Sequence, residues 1–275
     1  MNPLLLAAAV AAAAVPPPEP LSEAAYAIAA GRLDQARLMI GTAVKAGAKG
    51  DAIDRLLADL AFESGDFQSA LVRYQALLGA HSADLALAER AGIAALRTGD
   101  VGRAALLLER ATTSPSASWR AWNARGVAAD LRRDWDVADL SYSKAGALKP
   151  ERAEVANNLG WSLMLRGRWA DAVEPLERAA ALDPKSERIA DNLDLARAAA
   201  SGDLPQRRTG ESDADWSARL NDAGVIARVK GDQRQAIAAF AQAIEVRSQW
   251  FARAANNLAL SQAGVSQAGP SQAKP

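Results

Sequence analysis

The feature that most constrains this chain is a 34-residue period, which runs through five copies without an insertion. Four of the five copies start with a glycine: Gly31, Gly65, Gly99 and Gly167. Arg133 occupies the remaining start, between Gly99 and Gly167. Alanine follows five residues after each start: Ala36, Ala70, Ala104, Ala138, Ala172. A large residue follows four residues later still: Ile40, Tyr74, Leu108, Tyr142, Leu176. A period of this length is typical of stacked supersecondary units.

Each copy reads as a helix, a turn and a second helix. Between Trp119 and Arg152, apolar residues recur at helical spacing on both sides of the turn. The Gly-Asp pair at Gly65-Asp66 is predicted to end the first helix and to cap the second through the aspartate. Alanine in the middle of the second helix favours a close helix crossing. Pro150 and Pro184 are predicted to end the second helix.

These positions resemble the tetratricopeptide repeat. One copy matches the family pattern at Trp122, Gly126, Trp135, Ala138, Tyr142, Ala145 and Pro150. The next copy matches it at Leu159, Gly160, Gly167, Ala172, Leu176, Ala179 and Pro184. Equivalent structural positions elsewhere are Gly65, Ala70, Gly99, Ala104, Gly231 and Ala236. The resemblance implies an all-α fold, a right-handed α-solenoid of helix–turn–helix repeats.

The pattern predicts five segments. Residues 1–20 form a signal peptide or disordered leader, and 21–200 hold about five repeats plus one extra helix. The Pro/Gly/Arg-rich stretch 201–212 is a linker or a binding loop. Residues 213–261 form another repeat and a capping helix, and 262–275 are a disordered tail with little to bury.

The leader contains twelve consecutive apolar residues, Leu4 to Val15. This run is too short to span a bilayer but has the length of a signal-peptide core. It predicts a periplasmic or secreted protein, with no stable membrane span in the mature chain. The segment before Leu4 has no Lys or Arg, which leaves a disordered leader and a cytoplasmic location as the alternative.

Composition excludes several function classes. The 32 Lys+Arg residues balance 32 Asp+Glu residues, which is atypical of a nucleic-acid binder. The chain has no cysteine and one histidine, so thiolate and His-rich metal sites are excluded within one chain. Phosphate-loop, nucleophile-elbow and zinc-protease motifs are absent. We therefore expect no catalytic residue, no metal and no cofactor.

Candidate binding residues follow from the resemblance, because first helices line the concave face of this family and commonly grip an extended peptide. Asparagines recur early in these helices: Asn123, Asn157, Asn158, Asn192. An asparagine amide can both donate to and accept from a peptide backbone. The alternative is that these amides bond neighbouring first helices or local backbone.

Trp161 and Leu165 follow Asn157 at steps of four residues, so all three share one helix face if the segment is helical. The alternative for Trp161 is packing against its own second helix. Arg120 and Arg188, with Arg207 and Arg208, would suit a carboxylate terminus or remain solvated. The lysines of the family's carboxylate clamp are missing, since Asn123 and Val127 stand in that register.

The predicted function is a non-catalytic scaffold or adaptor that binds a protein or peptide in the groove, in envelope or pilus assembly. The stretches 157–163 and 194–197 are also similar to tetratricopeptide proteins of bacterial Flp (tight-adherence) pilus assembly. Two alternatives remain: a self-assembling scaffold that forms homo-oligomers, and a cytoplasmic regulatory protein.

Overall fold

The computed structural model describes residues 19–247 and 251–267, and this part of the chain is all α-helical. It contains fourteen helices, and the bounds of the first six are α1 Glu19–Ala29, α2 Leu33–Lys45, α3 Asp51–Glu63, α4 Phe67–Ala80, α5 Leu85–Arg97 and α6 Val101–Ala111. The next five are α7 Trp119–Arg132, α8 Trp135–Leu148, α9 Ala153–Leu165, α10 Trp169–Leu182 and α11 Glu187–Ser201. The last three are α12 Asp213–Val229, α13 Gln233–Glu245 and α14 Ala252–Gln267.

The helices belong to two compact units, residues 1–115 and residues 116–275. Unit 1 contains α1–α6, and unit 2 contains α7–α14. Within each unit, every helix packs against the next one along the chain, and first helices pair with second helices as hairpins except at α11, which no second helix follows. The all-α solenoid class predicted from the period is confirmed. The boundary between the two units lies inside residues 21–200, which the sequence predicted to be one array of repeats.

Each hairpin closes around a small residue in the first helix and a large residue sixteen positions later. A Cβ on Gly160 would lie 2.4 Å from Cγ of Leu176, closer than real Cβ atoms come. Gly92, Gly126 and Gly224 meet Leu108, Tyr142 and Phe240 in the same way. The alanines that recur in the second helices are fully buried where the two helices of a hairpin cross: Ala70, Ala104, Ala138, Ala172 and Ala236. Larger side chains at either position would hold the two helix backbones apart.

The turns between paired helices have the predicted chemistry with one exception. Arg133 adopts the left-handed conformation of the turn glycines, at φ 59°, and is the one non-glycine residue with positive φ in the described ranges. Asp66 accepts a hydrogen bond from the Ser69 amide at 3.1 Å and so caps α4 as expected. Asp134 directly precedes α8, but its side chain caps no amide, so the role of Asp66 is not repeated in that copy.

The ends of the chain differ from the sequence pattern in one place. The last helix continues through Gln267, so residues 262–267 are helical rather than part of a disordered tail. Ala and Gln are good helix formers, and this segment extends a helix whose earlier turns pack against α13. The predicted leader, except Glu19 and Pro20, and the rest of the predicted tail lie outside the described residues.

Candidate functional site

Unit 2 exposes large apolar side chains at corresponding positions of two neighbouring first helices. Leu131 of α7 is 60% exposed, and Trp161 and Leu165 of α9 are 43% and 50% exposed. Val127 and Asn158 beside them are half-buried. We call these five residues the unit 2 face. Of the two placements that the sequence left open for Trp161, the structure shows a partly exposed ring, and its contact with a partner stays a prediction.

Helices α7 and α9, which carry the unit 2 face, are in contact with each other. The Ser162 hydroxyl donates to Oδ1 of Asp130 at 2.6 Å. Asp130 directly precedes Leu131, and Ser162 directly follows Trp161. The contact shows that α7 and α9 pack together at residues next to Leu131 and Trp161 in the chain.

A buried polar network holds this part of the face. Asp130 accepts at Oδ2 from the Tyr142 hydroxyl at 2.7 Å, which joins α7 to its own second helix. Arg166 makes a two-pronged contact with Asp139 at 2.6 and 2.8 Å and also donates to the Ser162 carbonyl. Burial raises the pKa of Asp130, while hydrogen bonds from Arg166 lower the pKa of Asp139. Sequence reasoning missed this network, whose members are polar residues on three separate helices.

The structure changes the role assigned to the first-helix asparagines. Asn158 donates to Oδ1 of Asn123 at 3.0 Å, and Asn192 donates to Oδ1 of Asn157 at 2.8 Å. Asn123 donates in turn to Oε1 of Glu154 at 3.2 Å. Asn123, Asn157 and Asn192 are also buried. Their amides fasten successive first helices together, so the predicted role in reading a peptide backbone is wrong for these three side chains, and only Asn158 stays partly accessible.

The two candidate arginines lie on exposed first-helix positions of unit 2. Arg120 is exposed at the start of α7, with its guanidinium 4.8 Å from the Trp119 ring centroid. Arg188 is exposed at the start of α11. Neither side chain belongs to the network beneath the unit 2 face, so their role in partner binding stays a prediction.

Ion pairs fix the segment 202–212, which follows α11, against α11 and α12. The Arg219 side chain is 7% exposed and contacts Oε1 of Glu211 at 2.8 Å and Oδ2 of Asp194 at 2.7 Å. Arg208 contacts Asp194 at 2.7 Å and Asp191 at 2.7 Å. Arg208 is therefore engaged within the chain and does not offer a free guanidinium to a carboxylate terminus. Burying an arginine in this way requires such acceptors.

One sequence signal for this cluster was available. Asp194 occupies the position one period after Gly160, which itself lies one period after Gly126. Those glycines face the large residue in the second helix of their own repeat. The repeat that begins with α11 has no second helix, because α12 is already the first helix of the next hairpin. A carboxylate therefore fits where the glycine is required elsewhere, and arginines from the following segment fill the space.

Among the residues that the structure describes, no group of three or more His, Cys, Asp or Glu side chains is arranged to hold a metal ion. None of the helices in residues 19–247 and 251–267 is long and apolar enough to cross a bilayer.

Comparisons with known proteins identify the repeat. The tetratricopeptide repeat family model matches residues 55–118, 89–145 and 132–187. Among solved structures, a tetratricopeptide repeat protein from Parabacteroides merdae ATCC 43184 is similar at TM-score 0.55, with 14% identity over 89% of this chain and 98% of that one. PilW, described as a widely conserved type IV pilus biogenesis factor, is similar at TM-score 0.55, with 14% identity over 87% and 96% of the two chains.

A third structure, the protein TTC0263 from Thermus thermophilus, is similar at TM-score 0.51, with 21% identity over 65% of this chain and 97% of that one. At these identities the likeness shows a shared fold. No curated protein matches the chain. The matched repeats, the glycine–large residue pairing and the stacked hairpins agree, and the chain belongs to the tetratricopeptide-repeat family.

Proposed function

We propose that this protein is a non-catalytic scaffold that holds a segment of a partner protein on the unit 2 face. The tetratricopeptide fold is that of a protein-interaction scaffold. The observation that carries the finer proposal is the exposure of Leu131, Trp161 and Leu165 on adjoining first helices. Contiguous exposed apolar side chains on a soluble surface mark interaction sites.

Trp161 is the expected centre of binding energy. Tryptophan is the residue type most enriched among interface hot spots, and the leucines on both sides would exclude water around it. The Asn158–Asn123 and Ser162–Asp130 hydrogen bonds hold the two helices in fixed register beneath it. A partner therefore meets a surface that is already ordered, which lowers the entropic cost of binding.

The test is capture of partner proteins from cells that make this protein, with Trp161→Ala/Leu165→Ala compared with the unchanged chain. We expect the double variant to lose proteins that the unchanged chain retains, by about thirtyfold or more if Trp161 is a hot spot. Circular dichroism should stay the same, because both side chains are exposed.

The matched control is Leu140→Ala/Leu182→Ala, which removes two exposed leucines from second helices of the same unit. This variant is expected to capture the same proteins as the unchanged chain. Equal loss in both double variants would mean nonspecific apolar adhesion, and no loss in either would contradict the proposal.

We further propose a role in envelope or pilus assembly. The apolar run from Leu4 to Val15 supports export, and the fold similarity to PilW supports this setting. Fractionation of cells combined with N-terminal sequencing of the mature protein tests it. A protein that stays in the cytoplasm with its first twenty residues intact would contradict export and favour the cytoplasmic regulator.

A self-assembling scaffold is the second candidate, because the same exposed side chains would also suit a second copy of the chain. Light scattering on the purified protein separates the two candidates. A monomer supports the adaptor, whereas an oligomer that Trp161→Ala/Leu165→Ala converts to monomer supports self-assembly.

A further inference from the structure

We infer that helices α12–α14 form a C-terminal module that swings away from α11 as one body when the ion pairs between α11 and the residues after it are broken. The inference concerns a movement within unit 2 and does not rest on the proposed function. Three features support it: the irregular segment after α11, the separate core of the module, and the polar character of the contacts that attach it.

The first feature is a pair of pivots. Helix α11 is followed by the irregular segment 202–212 instead of a second helix. Glycines with positive φ stand near both ends of this segment, Gly202 at 81° and Gly210 at 79°. Glycine absorbs backbone rotation with little steric cost, and hinges are commonly a few loop positions of this kind. The segment therefore allows α12 to change its direction relative to α11.

The second feature is a core that belongs to the module alone. Two apolar clusters lie within it, one built around Trp216, Leu220 and Ala243, the other around Ala227, Ala236 and Phe240. The Ser217 hydroxyl donates to the Ala243 carbonyl at 2.6 Å, which joins α12 to α13. Asn257 of α14 donates to Oδ1 of Asn221 of α12 at 3.0 Å. These contacts hold the three helices together independently of α11.

The third feature is the make-up of the junction between α11 and α12. One apolar cluster crosses it and takes Ala223 and the half-buried Ile226 from α12, together with Leu195 from α11. Lys230 and Gln235 donate hydrogen bonds to backbone carbonyls at the end of α11. The module thus contributes two modest apolar side chains to the junction, and its large aromatic ones stay in its own core.

Ion pairs supply the rest of the attachment. Helix α11 contributes Asp191 and Asp194, which both pair with Arg208 of the segment. Asp194 also pairs with the buried Arg219 of α12, whose second partner is Glu211. Without the two α11 carboxylates, Arg208 and Arg219 would share Glu211, and a buried cation that loses a partner is strongly destabilising. The ionic link across the junction therefore depends on Asp191 and Asp194.

The experiment measures distances between spin labels by double electron–electron resonance on the full chain. The chain has no cysteine, so labels attach only at introduced ones. Ala181→Cys on α10 and Ala238→Cys on α13 span the junction, and Ala238→Cys with Ala259→Cys on α14 lies within the module. All three alanines are exposed.

With no further change, we expect one narrow distance distribution for each labelled pair. Asp191→Asn/Asp194→Asn should broaden the α10–α13 distribution and extend it by about 10 Å or more, since the segment 202–212 can span up to about 36 Å when extended. The α13–α14 distribution should stay narrow, because the module keeps its own core.

The matched control is Asp213→Asn/Asp215→Asn, which removes two carboxylates from the first turn of α12 that have partners in the segment rather than in α11. Both distributions should stay narrow in this variant. A narrow α10–α13 distribution in Asp191→Asn/Asp194→Asn, or equal broadening in the control, would overturn the role of the α11 carboxylates and with it the inference. Broadening of the α13–α14 pair would also overturn it, because the module would then not move as one body.

Discussion

Units 1 and 2 place opposite chemistry at equivalent positions of the same repeat. Two periods before Val127 and Leu131 stand Asp59 and Glu63 of α3. Two periods before Trp161 and Leu165 of α9 stand Ile93 and Arg97 of α5. Helix α3 is thus compared with α7, and α5 with α9. The first-helix surface of unit 1 is thus mainly charged where that of unit 2 is apolar.

The charges of unit 1 are mostly used within the unit. Arg90 contacts Oε1 of Glu63 at 2.8 Å, and Asp59 accepts from the Tyr74 hydroxyl at 2.6 Å. The Arg97 guanidinium lies 4.5 Å from the Phe67 ring centroid. At these positions unit 1 carries side chains that are paired within the unit, whereas unit 2 leaves Leu131, Trp161 and Leu165 exposed. The comparison teaches that one repeat backbone can carry either paired charged side chains or exposed apolar ones at the same first-helix positions.

The largest expected effect tests the buried arginine of unit 2 against an exposed one in unit 1. Arg219→Ala should lower the free energy of unfolding of unit 2 by about 3–5 kcal/mol, because Glu211 is left buried without its cation. All seven tryptophans follow residue 115, so urea unfolding followed by tryptophan fluorescence reports on unit 2.

The matched change in unit 1 is Arg90→Ala, where the ion pair with Glu63 is substantially solvent-exposed. The expected loss is about 0–1 kcal/mol. Unfolding of unit 1 is followed by hydrogen exchange of the α5 amides. A greater loss from Arg90→Ala than from Arg219→Ala would contradict the distinction between the two units.

An intermediate effect concerns the contacts between successive first helices. Asn157→Ala removes the acceptor of Asn192 and leaves a buried amide unsatisfied, at a cost of about 1–3 kcal/mol. Three periods earlier stands Arg55, which pairs with Asp84 in an exposed contact. Arg55→Ala should cost about 0–1 kcal/mol.

Salt separates these two contacts. Between about 0.1 M and about 1 M sodium chloride, the loss caused by Arg55→Ala should shrink, since screening already weakens that ion pair. The loss caused by Asn157→Ala should stay the same, because the amide pair is neutral. Hydrogen exchange of the α3 and α9 amides measures both, and a salt-dependent Asn157→Ala would break the comparison.

The smallest effect is a pH dependence with opposite signs at two aspartates of unit 2. Burial raises the pKa of Asp130 in the folded state, so the folded protein takes up this proton more readily than the unfolded chain. Asp130 therefore supports stability as the pH falls. Asp130→Asn should make unit 2 lose more stability than the unchanged chain between about pH 7 and about pH 4.

Asp139 behaves in the opposite way. Its pKa is lowered by hydrogen bonds from Arg166, so its stabilising contribution is present at neutral pH and is lost on acidification. Asp139→Asn should make the stability of unit 2 less dependent on pH below about pH 4, where an ordinary aspartate begins to take up its proton. Urea unfolding at about pH 7, about pH 4 and about pH 3 measures the two slopes, and the same sign in both variants would contradict this electrostatic account.

The repeat residues were predictable from sequence because the local backbone geometry requires a particular residue type at each fixed position of the period. The pairing of Gly160 with Leu176 and the left-handed turn at Arg133 follow from the period alone. The residues of the proposed binding surface were predictable in part. Helical spacing placed Trp161 and Leu165 on one face with Asn157, yet the first two are exposed and Asn157 is buried.

The rest depends on contacts between residues far apart in the chain. Asn192 bonds to Asn157 across neighbouring first helices, and Arg219 reaches back to Asp194 across an irregular segment. An asparagine has the same local pattern whether it faces a ligand or another asparagine. Only the distance between first helices decides between the two roles, and a single sequence does not contain that distance.

The most direct test of the central claim is photo-cross-linking inside cells that make this protein. A benzoylphenylalanine is placed at Leu165 in unit 2 and, in a separate variant, at the equivalent Arg97 in unit 1. We predict cross-links to another protein from position 165 and only background from position 97. Cross-linking from position 97 that equals or exceeds that from position 165 would contradict the claim that unit 2 carries the partner-binding surface.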